Sequence, residues 1–338
     1  MTRELSQQIK GIAILMMLFL HLFNRPENVA LCTPWIFIDG EPLVYLLRKA
    51  LDPVPFFLIL SGYGMFKTEN NSLKHRLQRL FTLMIHYWII LALFVFIGSF
   101  LRPEVYPGTI TDIIGNFTTY TSTYNRELWF MFPYIVLALA SPLYFKLVRK
   151  CNSLIILLLS FGALHFQSWF AYHFTDIVSS HQIFYNIQDI LKLQFYFTLG
   201  ALAAKCHIFT HISKIRGKYY VTLLGIATII ALVYFKVFLS NDIFSQFYAF
   251  LVICAINLIN ISGNTARTLT ALGKASLNMW FIHSWFCYHL FHDFIYAFQY
   301  PLLIFAVLLA ISYVSAIVAD KLIKPITRLV HDRLKPYL

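Results

Sequence analysis

The sequence predicts an all-α integral membrane protein, with about ten transmembrane helices and both termini in the cytoplasm. Apolar residues make up 59% of the chain and charged residues only 12%, against about 45–50% and 25% in an average soluble domain. They fall in long continuous runs, which favours helices over the short alternating strands of a barrel, the other architecture that can span lipid. Short basic clusters separate the runs and concentrate in every second loop, hence on one side of the expected membrane. With a mean hydropathy of +0.67, the chain holds more apolar surface than one soluble core would bury, and lipid is the solvent for the excess.

Run length and flanking polarity place the spans near 9–24, 44–66, 80–100, 128–146, 153–172, 188–205, 219–239, 244–262, 275–296 and 300–323. In the first, the apolar run from Gly11 to Phe23 follows Arg3 and Lys10 and imitates a signal peptide. No small-x-small cleavage site follows Phe23, so it reads as a retained first helix, an uncleaved anchor. With the N-terminus inside, seven of the 27 Lys and Arg lie outside (Arg25, Arg48, Lys49, Arg102, Arg126, Lys192 and Lys236), and the other 20 lie inside. The acids lean outward, from Glu27 and Asp39 to Asp242 and Asp293. A miscounted helix would put later loops out of phase, so the asymmetry supports both count and orientation. The outside loops near 24–43, 101–127 and 173–187 are too short for independent folds, though long enough to act as lids. Residues 1–338 therefore read as one polytopic domain without an evident internal repeat.

A net charge of +12 would suit nucleic acid, but it is dispersed among the apolar runs rather than gathered in a patch. The five cysteines, at 32, 151, 206, 254 and 287, show no CxxC and no metal-ligand spacing, and read as small buried residues. No metal is expected.

Helix 1 is the most informative segment. Lys10 and His21 are eleven residues apart, nearly three full turns, so they share one face about 16 Å apart along the axis. Lys10 is expected at the cytoplasmic surface, where it would meet a phosphate, and His21 near mid-membrane. An ionisable group at that depth is costly and commonly functional, although a neighbouring helix could simply satisfy it. Histidine titrates near operating pH and serves well as a general base. A base that far from a cation suits a long donor with an anionic head and a reactive tip, such as a coenzyme A thioester.

The basic loop after helix 2 carries Arg76 and Arg79, three apart and on one face if helical. Two guanidiniums make a phosphate clamp, and equally a topogenic charge. Helix 2 ends with Val54-Pro55 and Ser61-Gly62-Tyr63, where Pro55 and Gly62 permit a kink and close helix contact. Helix 4 opens on Arg126-Glu127-Leu128-Trp129-Phe130, which reads as an interface anchor, and closes on Ser141-Pro142. In helix 9, His283 lies nine residues past Lys274, about 14 Å deep. That is close to the depth of His21 and suggests a shared polar cavity; a structural hydrogen bond fits His283 equally. His86 and His165 lie in apolar runs, and His75, His207 and His211 in basic loops. Neither HExxH nor a serine elbow occurs.

These residues together resemble the acyltransferase-3 family of membrane O-acetyltransferases. Lys10 and His21 are similar to its Arg/Lys-x10-His signature, and Arg76-Leu77-Gln78-Arg79 to its RxxR motif. Residues 54–63, Leu128-Trp129-Phe130, and the run from Leu272-Gly273 to His283 are similar to further segments. The resemblance implies transfer of an acetyl group from cytoplasmic acetyl-CoA to a hydroxyl of a surface or exported glycan or a lipid-linked saccharide. It implies His21 as base, Lys10, Arg76 and Arg79 at the coenzyme A end, and a plasma (inner) membrane location. Ser61, Trp129 and His283 are candidates for the substrate cavity. Lys10 stands where members more often have Arg, which keeps the charge but not the planar fork. Phe130-Met131-Phe132-Pro133 follows Trp129 where many members carry an acidic pair, as in short members without an appended domain. A polysaccharide exporter or flippase, or a scaffold of a glycan-assembly complex, remains as an alternative. The acceptor and the oligomeric state are not legible.

Overall fold

The computed structural model describes residues 1–68, 73–239 and 241–334. Its architecture is all-α apart from one small antiparallel hairpin, β1 (Phe37–Ile38) and β2 (Glu41–Pro42). Among the described residues, ten principal helices follow one another: α1 (Arg3–Phe23), α2 (Pro53–Lys67), α3 (Leu73–Leu101), α4 (Met131–Lys150), α5 (Ser153–His173), α6 (Gln182–Lys205), α7 (Tyr219–Phe238), α8 (Asp242–Leu258), α9 (Gly263–Ser284) and α10 (Pro301–Leu334). Among the described residues, six helical segments are long and apolar enough to cross a membrane. They correspond to α1, α3, α4, α5, α7 and α10. Helices α2 and α8 are shorter, with 15 and 17 residues, and α6 and α9 carry polar residues along their length, from Asn186 and Asp189 to Asn264 and Lys274.

Several expected boundaries move. The span at 44–66 is broken into a short helix (Leu43–Leu47), a 3-10 turn (Arg48–Ala50) and α2. Pro53 and Pro55 explain the break, since proline ends the preceding helix and is well suited to a first turn, where no amide donor is missed. Pro55 therefore starts a helix rather than kinking one. The segment with Arg76 and Arg79 is the opening of α3 rather than a loop. Helix α4 runs on past Ser141-Pro142 to Lys150, with Pro142 inside it. The span expected at 275–296 begins at Gly263, changes at Trp285–His289 to a π turn, and ends in a separate short helix, His292–Tyr296. Lys335 of the C-terminal basic segment lies outside the described residues.

Two compact units contain these elements. One comprises Met1–Phe57 and His207–Ile317, the other Leu58–Cys206 and Val318–Leu338.

In the first unit, α1 and α9 pack together. Thr2 caps α1, its hydroxyl accepting from the Leu5 amide at 3.1 Å, and satisfies one of the open donors of the first turn. A Cβ on Gly11 would lie 2.2 Å from the Leu269 carbonyl oxygen, and one on Gly273 would lie 1.9 Å from that of Gln7. In a helix each carbonyl points about one turn towards the C-terminus, so Gly11 and Gly273 face each other. Ten residues further along each helix, His21 and His283 meet. The two helices are thus parallel, with one offset holding from the glycines to the histidines. Small residues allow backbones this close without the hydrophobic effect that drives packing in water.

The second unit uses the same device. A Cβ on Gly62 in α2 would stand 2.1 Å from Phe197 O, and one on Gly200 in α6 would stand 2.1 Å from Ile59 O. Gln194 ties α6 to α5, accepting from Ser160 Oγ at 2.7 Å and donating to Ser160 O at 2.7 Å. Tyr144 and Thr198 join α4 to α6 at 2.5 Å. Asn116 orders the segment after α3, donating to Thr123 Oγ1 at 2.7 Å and accepting from the Tyr124 amide at 3.0 Å. Gly62→Ala is expected to cost about 1–3 kcal/mol, the usual penalty for overpacking, seen as a lowered thermal midpoint in detergent. Gly64, two residues on, has nothing within 4 Å of its Cβ position. Gly64→Ala is expected to leave the midpoint unchanged or raise it slightly through helix propensity.

Candidate active site

The α1–α9 pairing places two histidines in one hydrogen bond. His21 Nδ1 lies 2.6 Å from His283 Nε2. Their rings are nearly coplanar, at 5°, with centroids 4.9 Å apart. That separation exceeds the nitrogen–nitrogen distance by about one ring's width, so the rings meet edge to edge in a plane rather than stacking face to face.

The neighbours of His283 assign the protons. Its Nδ1 is 3.1 Å from Met279 O and 2.9 Å from Trp280 O. Carbonyls only accept, so Nδ1 carries the hydrogen. In a neutral ring Nε2 is then the acceptor. His21 must donate from its own Nδ1, and its lone pair is left on Nε2. Two helix carbonyls therefore set the tautomer of His283, and His283 sets that of His21. His283 is fully buried and His21 half-buried, so the outer ring of this chain keeps some access.

The π turn follows directly. Leu290 N bonds to Trp285 O, five residues back, at 2.8 Å. Such turns recur at functional sites, because the wider winding re-aims side chains. In a regular α-helix residue 288 would point well away from residue 283. Here the Tyr288 ring comes within 5.8 Å of His21. Its hydroxyl donates to Asn24 Oδ1 at 2.7 Å, and the Arg25 guanidinium lies 4.0 Å from its ring centroid. Beyond it, Tyr296 donates to Leu22 O at 2.7 Å and accepts from Asn28 at 2.8 Å. The result is a polar, aromatic rim next to His21. Lys10 stands half-buried on α1, about 16 Å along the axis from His21.

The second unit holds the other expected residues. Arg76 is buried, at 7% exposure, and donates to Ser141 Oγ. Ser141 in turn donates to Ala138 O at 2.6 Å. Pro142 has no amide to offer that carbonyl, so the serine supplies the missing donor. Arg79 is exposed. Ser61 is hydrogen-bonded to Tyr134, which also lies within electrostatic reach of Arg79. Trp129 is half-buried just before α4, its ring 6.3 Å from that of Phe130.

A family model for an acyltransferase domain matches residues 7–320. The chain belongs to the acyltransferase-3 family. No curated protein and no solved structure matches it. With its apolar helices, membership makes this a multi-pass membrane acyltransferase. In this acyltransferase the sequence pairs Lys10 with His21 by spacing and His21 with His283 by depth, and the structure joins the histidine pair directly. Ser61, Trp129, Arg76 and Arg79 belong to the other unit. Tyr134, Tyr288 and Arg149 were not singled out in the sequence. The only signal for Tyr288 was its place five residues after a histidine, and that carries meaning only once the π turn is known.

Proposed function

We propose that this protein is an O-acetyltransferase that moves an acetyl group from coenzyme A to a hydroxyl of a surface or exported glycan, with His21 as general base. The His283–His21 hydrogen bond carries the reading, because it leaves the His21 lone pair on Nε2. In the proposed step, His21 Nε2 takes the acceptor's hydroxyl proton as its oxygen attacks the thioester carbonyl. The carbon–sulfur bond breaks, and the thiolate takes that proton back from the imidazolium. While the charge lasts, His283 Nε2 accepts from His21 Nδ1 and spreads it towards the Met279 and Trp280 carbonyls.

Arg76 and Arg79 are assigned to the phosphates of coenzyme A, with Lys10 as a further cation at that end. The spacing of Lys10 from His21 suits a donor whose arm separates phosphate from thioester. Tyr288, Asn24 and Arg25 are assigned to the acceptor, since sugars stack on aromatic faces and bond to amide and guanidinium groups. Ten spans and cytoplasmic termini, supported by the distribution of Lys and Arg, complete the reading, together with a plasma (inner) membrane location.

The test is purified protein in lipid vesicles, given acetyl-labelled acetyl-CoA and a crude surface-glycan extract from the host. Label is expected in the glycan, with free coenzyme A appearing in equal amount. Movement of glycan across the vesicle without use of acetyl-CoA would instead make the protein an exporter.

A further inference from the structure

We infer that Arg149 joins Arg76 and Arg79 as the third cation of a site for a polyphosphate, the nucleotide end of the donor. The inference rests on the coenzyme A reading above and adds a residue that neither the motifs nor their spacing brought out. Arg149 lies in the last turn of α4. Its guanidinium donates to Phe66 O at 3.2 Å and lies 4.7 Å from the Phe66 ring centroid. Arg79 and Arg149 both stand within electrostatic range of Arg76, whose own guanidinium lies 5.7 Å from the Phe145 ring.

Three features make this a site rather than a group of surface charges. Like charges held together repel, and among the described residues no carboxylate pairs with any of the three. Arg76 is more than nine-tenths buried, and its Nε has no hydrogen-bond partner among the described residues. A buried donor of a cationic group left unmet is expensive. Finally, Arg76 sits at the end of the first turn of α3, whose dipole adds to the positive potential there instead of offsetting it. An anion removes all three penalties. A nucleotide with a diphosphate and a further phosphate offers enough oxygens for three guanidiniums, each able to bind in a fork. Arg76 forms the floor, and the exposed Arg79 and Arg149 form the rim. The Phe66 contacts hold Arg149 in place before the ligand arrives.

The test is equilibrium binding of labelled coenzyme A, without turnover, to protein in pure phosphatidylcholine vesicles. Wild type is compared with Arg149→Ala and Arg149→Lys, and thermal midpoints are recorded for all three. Loss of one charge-assisted contact is expected to weaken binding about tenfold to a hundredfold in Arg149→Ala, with Arg149→Lys in between and midpoints unchanged. Inorganic pyrophosphate should compete with coenzyme A in wild type, and less well in Arg149→Ala. Equal affinity in wild type and Arg149→Ala would overturn the inference and leave the coenzyme A reading standing. No binding even by wild type would overturn both. A loss seen only when phosphatidylglycerol is added would make the ligand a lipid headgroup, and would also overturn it.

Discussion

His21→Ala is expected to cut acetyl transfer by about a hundredfold to ten-thousandfold, the range of a general base, while coenzyme A binding stays at the wild-type level. The alanine variant removes two things at once, the Nε2 lone pair and the hydrogen bond to His283. Leaving His283 Nε2 without its donor costs about 1–3 kcal/mol, so a fall in activity could reflect damaged packing. His21→Asn separates the two. Its amide nitrogen stands where Nδ1 was and can still donate to His283, but nothing basic remains. The asparagine variant is expected to melt near wild type and to be as inactive as the alanine variant. Label transfer from acetyl-CoA, with thermal unfolding on the same samples, checks both. An asparagine variant with full activity would remove His21 from the chemistry.

His283 gives the second large effect. His283→Phe keeps an aromatic ring of similar size in a fully buried position but offers His21 no acceptor. His21 Nδ1 then loses the acceptor that fixes its hydrogen, and the lone pair is shared between the two ring nitrogens. Turnover is expected to fall about tenfold to a hundredfold, as for other outer partners that orient a working histidine, with coenzyme A affinity unchanged. His283→Gln places an amide oxygen near the former Nε2 and is expected to recover much of the loss. Equal activity in the two variants would show that His283 serves packing alone. The turnover-against-affinity split is the deciding readout, since general loosening of α1 against α9 would move both.

Much of this arrangement was legible in the sequence, and the gaps have physical causes. Helical periodicity is reliable within one uninterrupted helix, so the Lys10–His21 stripe could be read from spacing. Depth could be counted from the flanking basic residues, which set His283 level with His21. The facing of the two helices was not readable, because it depends on Gly11 and Gly273 meeting, and a lone glycine in an apolar run has many uses. The break at Pro53 and the π turn at Trp285–His289 are departures from regular winding, so any count that assumes 3.6 residues per turn fails there. Tyr288 was lost for that reason. Arg149 was counted only as topogenic charge, since its proximity to Arg76 is set by the packing of α3 and α4 and not by sequence distance. Ser141-Pro142 read as a helix end, whereas the serine repairs the hydrogen bond that the proline removes and the helix continues.

The central claim is that His283 fixes the lone pair of His21 on Nε2, and nitrogen NMR tests it without knowledge of the acceptor. Protein labelled with 15N-histidine would be measured in lipid, with His21→Asn identifying the His21 signals by difference. The account predicts a protonated Nδ1 and an unprotonated Nε2 for His21, with the Nδ1 signal perturbed in His283→Phe. A His21 ring protonated on Nε2, with its lone pair facing His283, would contradict it.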